Sequence, residues 1–534
     1  MRNKRVMAAV SALAIAGLGL AACGGGGDSG NGGGDGTLHL GLGEPKSLIP
    51  PNIGESEGGT IAEHVYAGLY EYTPEGELES VIADGEPTTE DNKVWTIKLQ
   101  EGFTFQNGEK ITADTFVKTW NYAAYGENAN ASAGFLASIE GYDDVQLGAD
   151  GSKPKATELS GVKAIDDTTL QVTLSDPFVG FPKILGYTAF YPMADACLDD
   201  IDACNIQPIG NGMFQFDGKW EHKQSIKLKK WDGFKGDPAN VDAVDFKIYT
   251  GDAVCWPDFE AGKIDICAPP ANEYEAAKEK YGDELIEEET PSTWSLGYPV
   301  YDDIFSDVNV RKAFSMAIDR KSYIQGLFQG RYVEGHSWTP SMIPGYLPDT
   351  CGEACDFDPD AAKKLLADSN WPEGKTLELW VNSGPGEDYL KVIGDQLNAN
   401  LGIDYELKTL EWPDFLEKKE KQELTGPFLT GWIPDYPLNQ NYLEPLYGAG
   451  PNNDFGFFNQ EFEDLLAEGN TSEDLDTAIN KYQEAEKVLG EQLPSAPLWV
   501  TTSATKLGDR VDPNSYERNP YTATFYDYQK IALN

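Results

Sequence analysis

The sequence predicts a mixed α/β protein with at least two lobes, and two observations carry this prediction. Short alternating segments typical of strands and longer segments with helical periodicity succeed one another along the whole chain, without a short fixed repeat. The chain has 534 residues, more than the roughly 250–300 at which a single hydrophobic core stops growing. Hydrophobic residues make up 40% of the sequence, which is enough to fill more than one core.

The individual elements follow from periodicity and from turn residues. Alternation predicts strands over residues 37–41, 94–99, 169–174, 225–228, 244–249 and 429–433. Helical periodicity predicts helices over residues 61–69, 310–319, 359–368, 389–400, 461–468 and 475–489. Thr112 precedes Ala113 and Asp114 and predicts the start of a further helix, because a threonine hydroxyl accepts hydrogen bonds from the free N–H groups of a first turn.

The N-terminus predicts export. Three basic residues among the first five precede an apolar run over 6–20, which is shorter than the about 20 residues of a comfortable membrane span. The run ends in Leu-Ala-Ala-Cys at Cys23 and resembles a bacterial lipobox, which implies a signal peptide over 1–22 and a lipid on Cys23; plain secretion is the alternative. Nine glycines among residues 24–36 predict that 23–36 is a flexible tether. We therefore expect a protein anchored by lipid to the outer face of the cell membrane.

Charge and composition exclude several classes of function. The formal net charge of −47 repels phosphate backbones, so nucleic acid is not an expected partner. The chain has four histidines and lacks nucleophile-elbow, phosphate-loop and zinc-protease motifs, so we expect no enzyme and no cofactor. We expect the protein to be a monomer.

The cysteines agree with an oxidising compartment. Apart from Cys23 there are six, which lie in neighbouring pairs. The simple interpretation, out of 15 possible connectivities, is three local disulfides. The predicted pairs are Cys197–Cys204, Cys255–Cys267 and Cys351–Cys355. A zinc site is the competing interpretation, but no histidine stands beside a cysteine pair, and we expect no metal.

One acidic residue stands out after the strand predicted over 429–433. Asp435 lies between Pro434 and Pro437, which prevent a central strand or helix from continuing. Prolines and nearby aromatic residues would hold this carboxylate stiffly in a half-apolar setting suited to binding a cation. The alternative is that Asp435 only caps a turn. Without a ligand we expect the carboxylate to be solvated.

Five segments together resemble one protein family. They are 94–99 (VWTIKL), 112–117 (TADTFV), 162–170 (VKAIDDTTL), 208–214 (PIGNGMF) and 308–320 (VNVRKAFSMAIDR). In this order the chain resembles the extracellular solute-binding proteins of family 5, which serve ABC importers of peptides, nickel and related solutes. The segment 431–437 (GWIPDYP) falls where peptide binders of that family carry Gly-Trp-x-x-Asp-Tyr-x-x-Pro.

The resemblance implies a two-lobed type II fold of the periplasmic-binding-protein kind with a ligand cleft between the lobes. It implies a first lobe over 37–290 with a subdomain at about 61–190, a second lobe over 291–495, and a return to the first lobe over 496–534. It also implies closure around the ligand and delivery to the membrane subunits of an ABC permease.

The resemblance further implies that the ligand is a di- or oligopeptide. Asp435 takes the position of the carboxylate that pairs with the ligand's α-ammonium group, and Trp412 matches an aromatic that lines side-chain pockets. The other residues implied at the cleft are Gly431, Trp432 and Ile433 on the strand, and Trp499, Glu55 and Glu57. Two alternatives remain: a binder of another solute on the same fold, such as an oligosaccharide, an opine or a nickel complex, and a lipoprotein that senses peptides.

Overall fold

The computed structural model describes residues 36–148, 150–249, 255–450 and 453–534. The predicted signal peptide over 1–22, Cys23 and all of the tether except Gly36 lie outside these residues. In the part of the chain that is described, no helix combines the length and the apolar character needed to span a bilayer.

The described residues form strands and helices in alternation. The strands are β1 (Thr37–Gly43), β2 (Tyr70–Tyr72), β3 (Leu78–Ser80), β4 (Val94–Lys98), β5 (Val162–Asp166), β6 (Thr169–Thr173), β7 (Phe214–Phe216), β8 (Ser225–Lys230), β9 (Ala243–Tyr249), β10 (Ile266–Cys267), β11 (Leu285–Gly297), β12 (Val333–Glu334), β13 (Leu377–Asn382), β14 (Tyr405–Leu410), β15 (Phe428–Trp432) and β16 (Ser495–Leu507). The helices are α1 (Ser56–Val65), α2 (Ala113–Ala124), α3 (Tyr142–Val145), α4 (Phe181–Ile184), α5 (Asp195–Asp199), α6 (Ile201–Ile206), α7 (Cys255–Glu260), α8 (Tyr274–Tyr281), α9 (Val308–Met316), α10 (Arg320–Phe328), α11 (Pro359–Ala367), α12 (Gly386–Leu401), α13 (Trp412–Glu420), α14 (Gln440–Tyr447), α15 (Gln460–Asn470) and α16 (Leu475–Gln492). The predicted mixed α/β class is confirmed.

One large sheet runs through the molecule. Among the described residues it has eleven strands, in the order β14-β13-β15-β11-β16-β10-β1-β9-β8-β7, with β12 on the side of β16. The two 13-residue strands β11 and β16 are antiparallel and lie in its middle. We call them the linking pair, because they join the first sheet half (β10, β1, β9, β8 and β7) to the second sheet half (β15, β13 and β14).

The linking pair is interrupted at its centre. Glu289 pairs with Thr502 and the next pair is Thr293 with Val500, so three residues of β11 lie opposite one residue of β16. The interruption contains Pro291, which has no N–H group to give to a ladder. Such an irregularity disrupts the ladder and bends a strand pair locally.

A subdomain stands beside the sheet halves. The strands β4, β6 and β5 form a small antiparallel sheet against which α2 packs. Its buried side chains belong to the same apolar cluster as those of the second sheet half, whereas those of the first sheet half form a separate cluster. Hydrogen bonds join the subdomain to the end of α15: Val179 N–H donates to Asn470 O at 2.9 Å, and Asn92 Nδ2 donates to Ser472 O at 2.6 Å.

The predicted elements are found with two corrections at helix ends. The helix predicted over 61–69 begins earlier, at Ser56, because the Glu55 side chain caps it, and it ends at Val65. The helix predicted over 310–319 is α9, which ends earlier, at Met316, and a separate helix that was not predicted, α10, begins at Arg320. Asp319 lies in extended backbone between them, and its side chain accepts a hydrogen bond from Ser322 N, which starts a new helix.

The predicted disulfides are confirmed. Each predicted pair is bonded, with Cα–Cα distances of 5.2 Å for Cys197–Cys204, 6.2 Å for Cys255–Cys267 and 5.7 Å for Cys351–Cys355. Each bond joins residues close in sequence and therefore stabilises one local segment.

Candidate ligand site

The site is built on the end of β15. Phe428 and Leu429 are buried in the sheet, and β15 pairs with β11 from Phe428 to Trp432. Pro434 and Pro437 follow, and because neither has an N–H group the chain leaves the sheet as a loop. Asp435 lies in this loop, so a strand of the second sheet half positions it.

Asn441, on the first turn of α14, holds this loop in place. Its side-chain oxygen accepts hydrogen bonds from Asp435 N at 2.9 Å and from Trp432 Nε1 at 3.3 Å. Its Nδ2 donates to Asp435 Oδ2 at 3.4 Å. Asn441 is 1% exposed, so these hydrogen bonds between the helix and the loop are shielded from water. Among the described residues, this long hydrogen bond is the single one that the Asp435 carboxylate accepts. The carboxylate therefore keeps lone pairs with which to bind a ligand.

The Asp435 carboxyl is half-buried and electrostatically unsatisfied. Burial raises its pKa from the ordinary 3.8 to about 6, while the hydrogen bond from Asn441 lowers it. The empty carboxylate, which we expected to be solvated, is partly buried, because the loop folds against α14. An ionised group held away from water gains most from a bound cation.

The charge of Asp435 acts on three buried or half-buried tyrosines. Burial, and then the charge of Asp435, raises the pKa of the Tyr187 phenol. The Tyr72 phenol also has a raised pKa, caused by burial, by neighbouring tyrosines and by Asp435. Tyr442 of α14 shows the same effect from burial, from Tyr521 and from Asp435. A Cβ on Gly76, in the turn between β2 and β3, would lie 2.9 Å from the Pro437 Cβ, so the loop that carries Asp435 packs close to that turn.

Several carboxyl groups lie near the Tyr187 phenol or beside one another. The charges that act on the Tyr187 phenol are the carboxylates of Asp435, Glu63 and Glu55. Burial raises the pKa of Glu63 to about 8 and that of Glu71 to about 7. Glu63 accepts a hydrogen bond from the backbone N–H of Ala523 at 3.0 Å. Near neutral pH, Glu63 is therefore largely protonated and Glu71 partly so, and the ionised Asp435 is the group here that favours a ligand with a positive charge.

The predicted strand residues lie at the site. Gly431 and Trp432 line a small cavity of about 20 Å³ between β15, β11 and α14. A side chain at Gly431 would begin only 3.0 Å from the Trp294 ring, so glycine fits here. Ile433 is 58% exposed and turns its side chain to solvent. The other residues around the cavity are Thr293, Ser295, Trp338, Thr430, Tyr442, Leu446, Tyr447 and Phe455.

The two other predicted tryptophans lie in different surroundings. Trp412 begins α13 and is 52% exposed, with its ring 6.2 Å from that of Phe415. It is accessible to a ligand, and its role stays a prediction. Trp499 is 1% exposed and stacks on Trp294 at 5.7 Å and on Tyr323 at 5.3 Å. The structure therefore corrects the expected position of Trp499 at the cleft, because the linking pair turns this indole into an aromatic core.

The two predicted glutamates lie at the start of α1. The Glu55 carboxylate caps the helix and accepts hydrogen bonds from Gly58 N at 2.6 Å and from Lys46 N at 2.8 Å. Its oxygens are used by the backbone, and only its charge reaches Tyr187. Glu57 lies against β1, where a Cβ on Gly43 would come within 2.7 Å of the Glu57 Oε1. Direct contact of either with a ligand stays a prediction.

Sequence reasoning missed Tyr72, Tyr187 and Asn441. Tyr72 and Tyr187 come from the subdomain and have no motif around them. Asn441 carried a usable signal, because an asparagine a few residues after a Pro-Asp-Tyr-Pro turn is suited to bonding the turn's backbone.

The structural frame of the candidate site is two sheet halves joined by an interrupted strand pair, with a half-buried carboxylate just after the end of β15. The chain belongs to the bacterial extracellular solute-binding proteins, family 5, whose family model matches residues 77–454. This confirms the family that the motifs indicated.

Known relatives cover most of the chain. It is 26% identical over 477 residues to the oligopeptide-binding protein OppA of Bacillus subtilis (strain 168), a match that covers 86% of each chain. The solved structure of HbpA2 from Haemophilus parasuis has a TM-score of 0.79 at 23% identity and covers 93% of this chain and 100% of its own. That of Listeria monocytogenes OppA bound to peptide has a TM-score of 0.71 at 23% identity, covering 94% and 100%. This likeness confirms the predicted two-lobed fold, while the residue limits of the lobes stay predictions.

Proposed function

We propose that this protein captures peptides in the cleft and delivers them to the permease of an ABC importer. The observation that carries the proposal is a half-buried carboxylate with a raised pKa placed directly after a strand with a free edge. Asp435 binds the α-ammonium group of the peptide, and the strand edge binds its backbone.

The free edge belongs to β15. On the side that faces β13, β15 has one paired residue, Phe428 opposite Trp380. Among the described residues, the backbone groups of β15 after Phe428 have no strand partner on that side. An extended peptide can pair with such an edge through its own N–H and C=O groups, whatever its side chains are. Because Asp435 lies beyond the C-terminal end of β15, a peptide anchored there by its amine runs antiparallel to β15.

The names of relatives agree with this proposal. The Bacillus subtilis relative is an oligopeptide-binding protein, and the Listeria monocytogenes structure is bound to a peptide. Asp435 favours a ligand with an amine, whereas an oligosaccharide would be recognised by aromatic stacking without a charged anchor.

Native mass spectrometry of the protein as purified tests the ligand class. A ladder of short-peptide masses released on denaturation supports the proposal. A single sugar, opine or nickel-complex mass contradicts it and selects the corresponding alternative.

We also propose that Cys23 carries a lipid that anchors a monomer to the outer face of the cell membrane. The support is the sequence: a lipobox-like ending is followed by a glycine-rich tether. Cell fractionation, with mass spectrometry of the N-terminal peptide, tests this. Cys23→Ser should leave the membrane fraction, and an unmodified wild-type N-terminus found only in culture fluid would contradict the proposal.

A further inference from the structure

The interruption of the linking pair is bridged by side chains. Thr290 Oγ1 lies 2.5 Å from Thr501 Oγ1, which joins β11 to β16 where the ladder is broken. Thr501 Oγ1 also donates to Ser292 O at 3.4 Å, a long contact. The backbone carbonyl of Pro291, at the centre of the interruption, accepts its hydrogen bond from another element.

That element is α14. The phenol of Tyr442 donates to Pro291 O at 2.5 Å. Tyr442 is 1% exposed, so water does not compete for this bond. The helix α14 therefore holds β11 at Pro291, where the ladder between β11 and β16 is interrupted and the strand is most free to bend.

The preceding residue of the same helix holds the ligand site. Asn441 binds the backbone and the carboxylate of Asp435, and Tyr442 binds Pro291. The charge of Asp435 also acts on the Tyr442 phenol. One helical turn thus contacts the anchor carboxylate and the interruption of the linking pair through two consecutive side chains.

We infer that Tyr442 is a positioning residue that couples the charge at Asp435 to the conformation of the linking pair at Pro291. A change at Asp435 moves or stiffens the loop held by Asn441, and the first turn of α14 transmits that change to the Pro291 carbonyl. This coupling requires that the interrupted segment around Pro291 has two arrangements that interact differently with Asp435. Only such a difference in free energy between two states links one site to another. Any role of this coupling in closure around a ligand rests on the proposed function. The coupling between Asp435 and Pro291 is itself a property of the protein without ligand.

Hydrogen–deuterium exchange on the full chain without ligand, at about pH 7.5, tests the link. Asp435→Asn is the perturbation, because it removes the buried charge and keeps the shape. In the otherwise unchanged protein it should slow exchange in peptides covering 289–295 at least about twofold, because a neutral amide packs on Asn441 without the desolvation cost of a charge. In Tyr442→Phe, exchange there should be about fivefold faster than in the wild type, as expected for losing one buried hydrogen bond, and Asp435→Asn should no longer change it.

Tyr447→Phe is the matched control. Tyr447 lies on the same helix, is 2% exposed, and its phenol lies 2.8 Å from Ser495 Oγ, away from the interruption. In this variant Asp435→Asn should still slow exchange over 289–295. A response that survives in Tyr442→Phe, or that Tyr447→Phe also abolishes, overturns the inference.

Two further outcomes keep the test decisive. If Tyr442→Phe does not fold, unchanged exchange over 289–295 on Asp435→Asn in the otherwise unchanged chain still overturns the inference. Because no ligand is used, failure of the peptide proposal leaves the result untouched, and failure here leaves the peptide proposal standing.

Discussion

Replacing Asp435 by asparagine should make the empty protein more stable at neutral pH. The folded pKa of about 6 lies above the ordinary 3.8, so the folded state binds the proton more tightly than the unfolded chain does. A pKa about 2 higher corresponds to about 3 kcal/mol against the ionised form in the folded state. Because the carboxylate is half-buried and partly screened by water, we expect Asp435→Asn to raise the free energy of unfolding at pH 7.5 by about 1–3 kcal/mol.

The pH dependence of this gain has a definite sign. The cost of ionised Asp435 is fully present above about pH 6, and it disappears as the pH falls below 3.8, where the carboxyl is protonated in both states. Urea unfolding of both proteins at several pH values measures it. A loss of stability in Asp435→Asn at pH 7.5, or a difference independent of pH, would refute the reasoning.

Asp435→Asn, which should stabilise the empty protein, should weaken the binding of ligand. In the closed cleft the ammonium group of a peptide is desolvated and needs the carboxylate, so Asp435→Asn should weaken binding by about 30-fold to several thousand-fold, as for 2–5 kcal/mol. Wild-type affinity should fall as the pH drops through about 6, because the carboxyl takes up its proton there. The variant should show no such fall.

Calorimetry with trialanine and N-acetyl-trialanine, each on wild type and variant, measures the coupling directly. Acetylation should weaken the wild type strongly and the variant far less. The peptide released from the purified protein replaces trialanine if the latter binds too weakly. Additive losses would mean that Asp435 and the amine do not meet, and the peptide proposal would lose its anchor.

Three other predictions concern stability. Glu486 is 0% exposed and accepts hydrogen bonds from Trp338 N at 2.9 Å and Thr339 Oγ1 at 2.8 Å, so Glu486→Ala should cost about 3 kcal/mol or more in urea unfolding. Glu484→Ala, on the exposed face of the same helix, is its control, and equal effects would contradict the buried network. Replacing both Cys197 and Cys204 by alanine should cost about 2–3 kcal/mol, measured in the same way; no loss would show that this disulfide does not stabilise the fold. Because the net charge is −47, raising NaCl from about 0.1 to about 1 M should raise the melting temperature by screening the repulsion between like charges. Sucrose is the control, and an unchanged melting temperature in NaCl would contradict this prediction.

The local sequence determined where elements begin and end. Prolines after Trp432 predicted the end of β15, because a residue without an N–H group cannot continue the ladder. Thr112 predicted the start of α2, where it forms a capping box with Thr115. The disulfides were predictable for the same reason, since each joins cysteines within 12 residues of one another.

Only the tertiary structure decided which residues meet at the site and how deeply each is buried. The charge of Asp435 acts on Tyr72 and Tyr187, which come from a distant part of the sequence, and no short segment encodes that proximity. The raised pKa of Asp435 depends on water excluded by α14, and the buried position of Trp499 depends on the turn of the linking pair. The burial and the electrostatic environment of a group are sums over neighbours that lie far apart in the chain. The residue type can therefore indicate a carboxylate suited to binding a cation. The solvation of that carboxylate is set only when the folded chain encloses it.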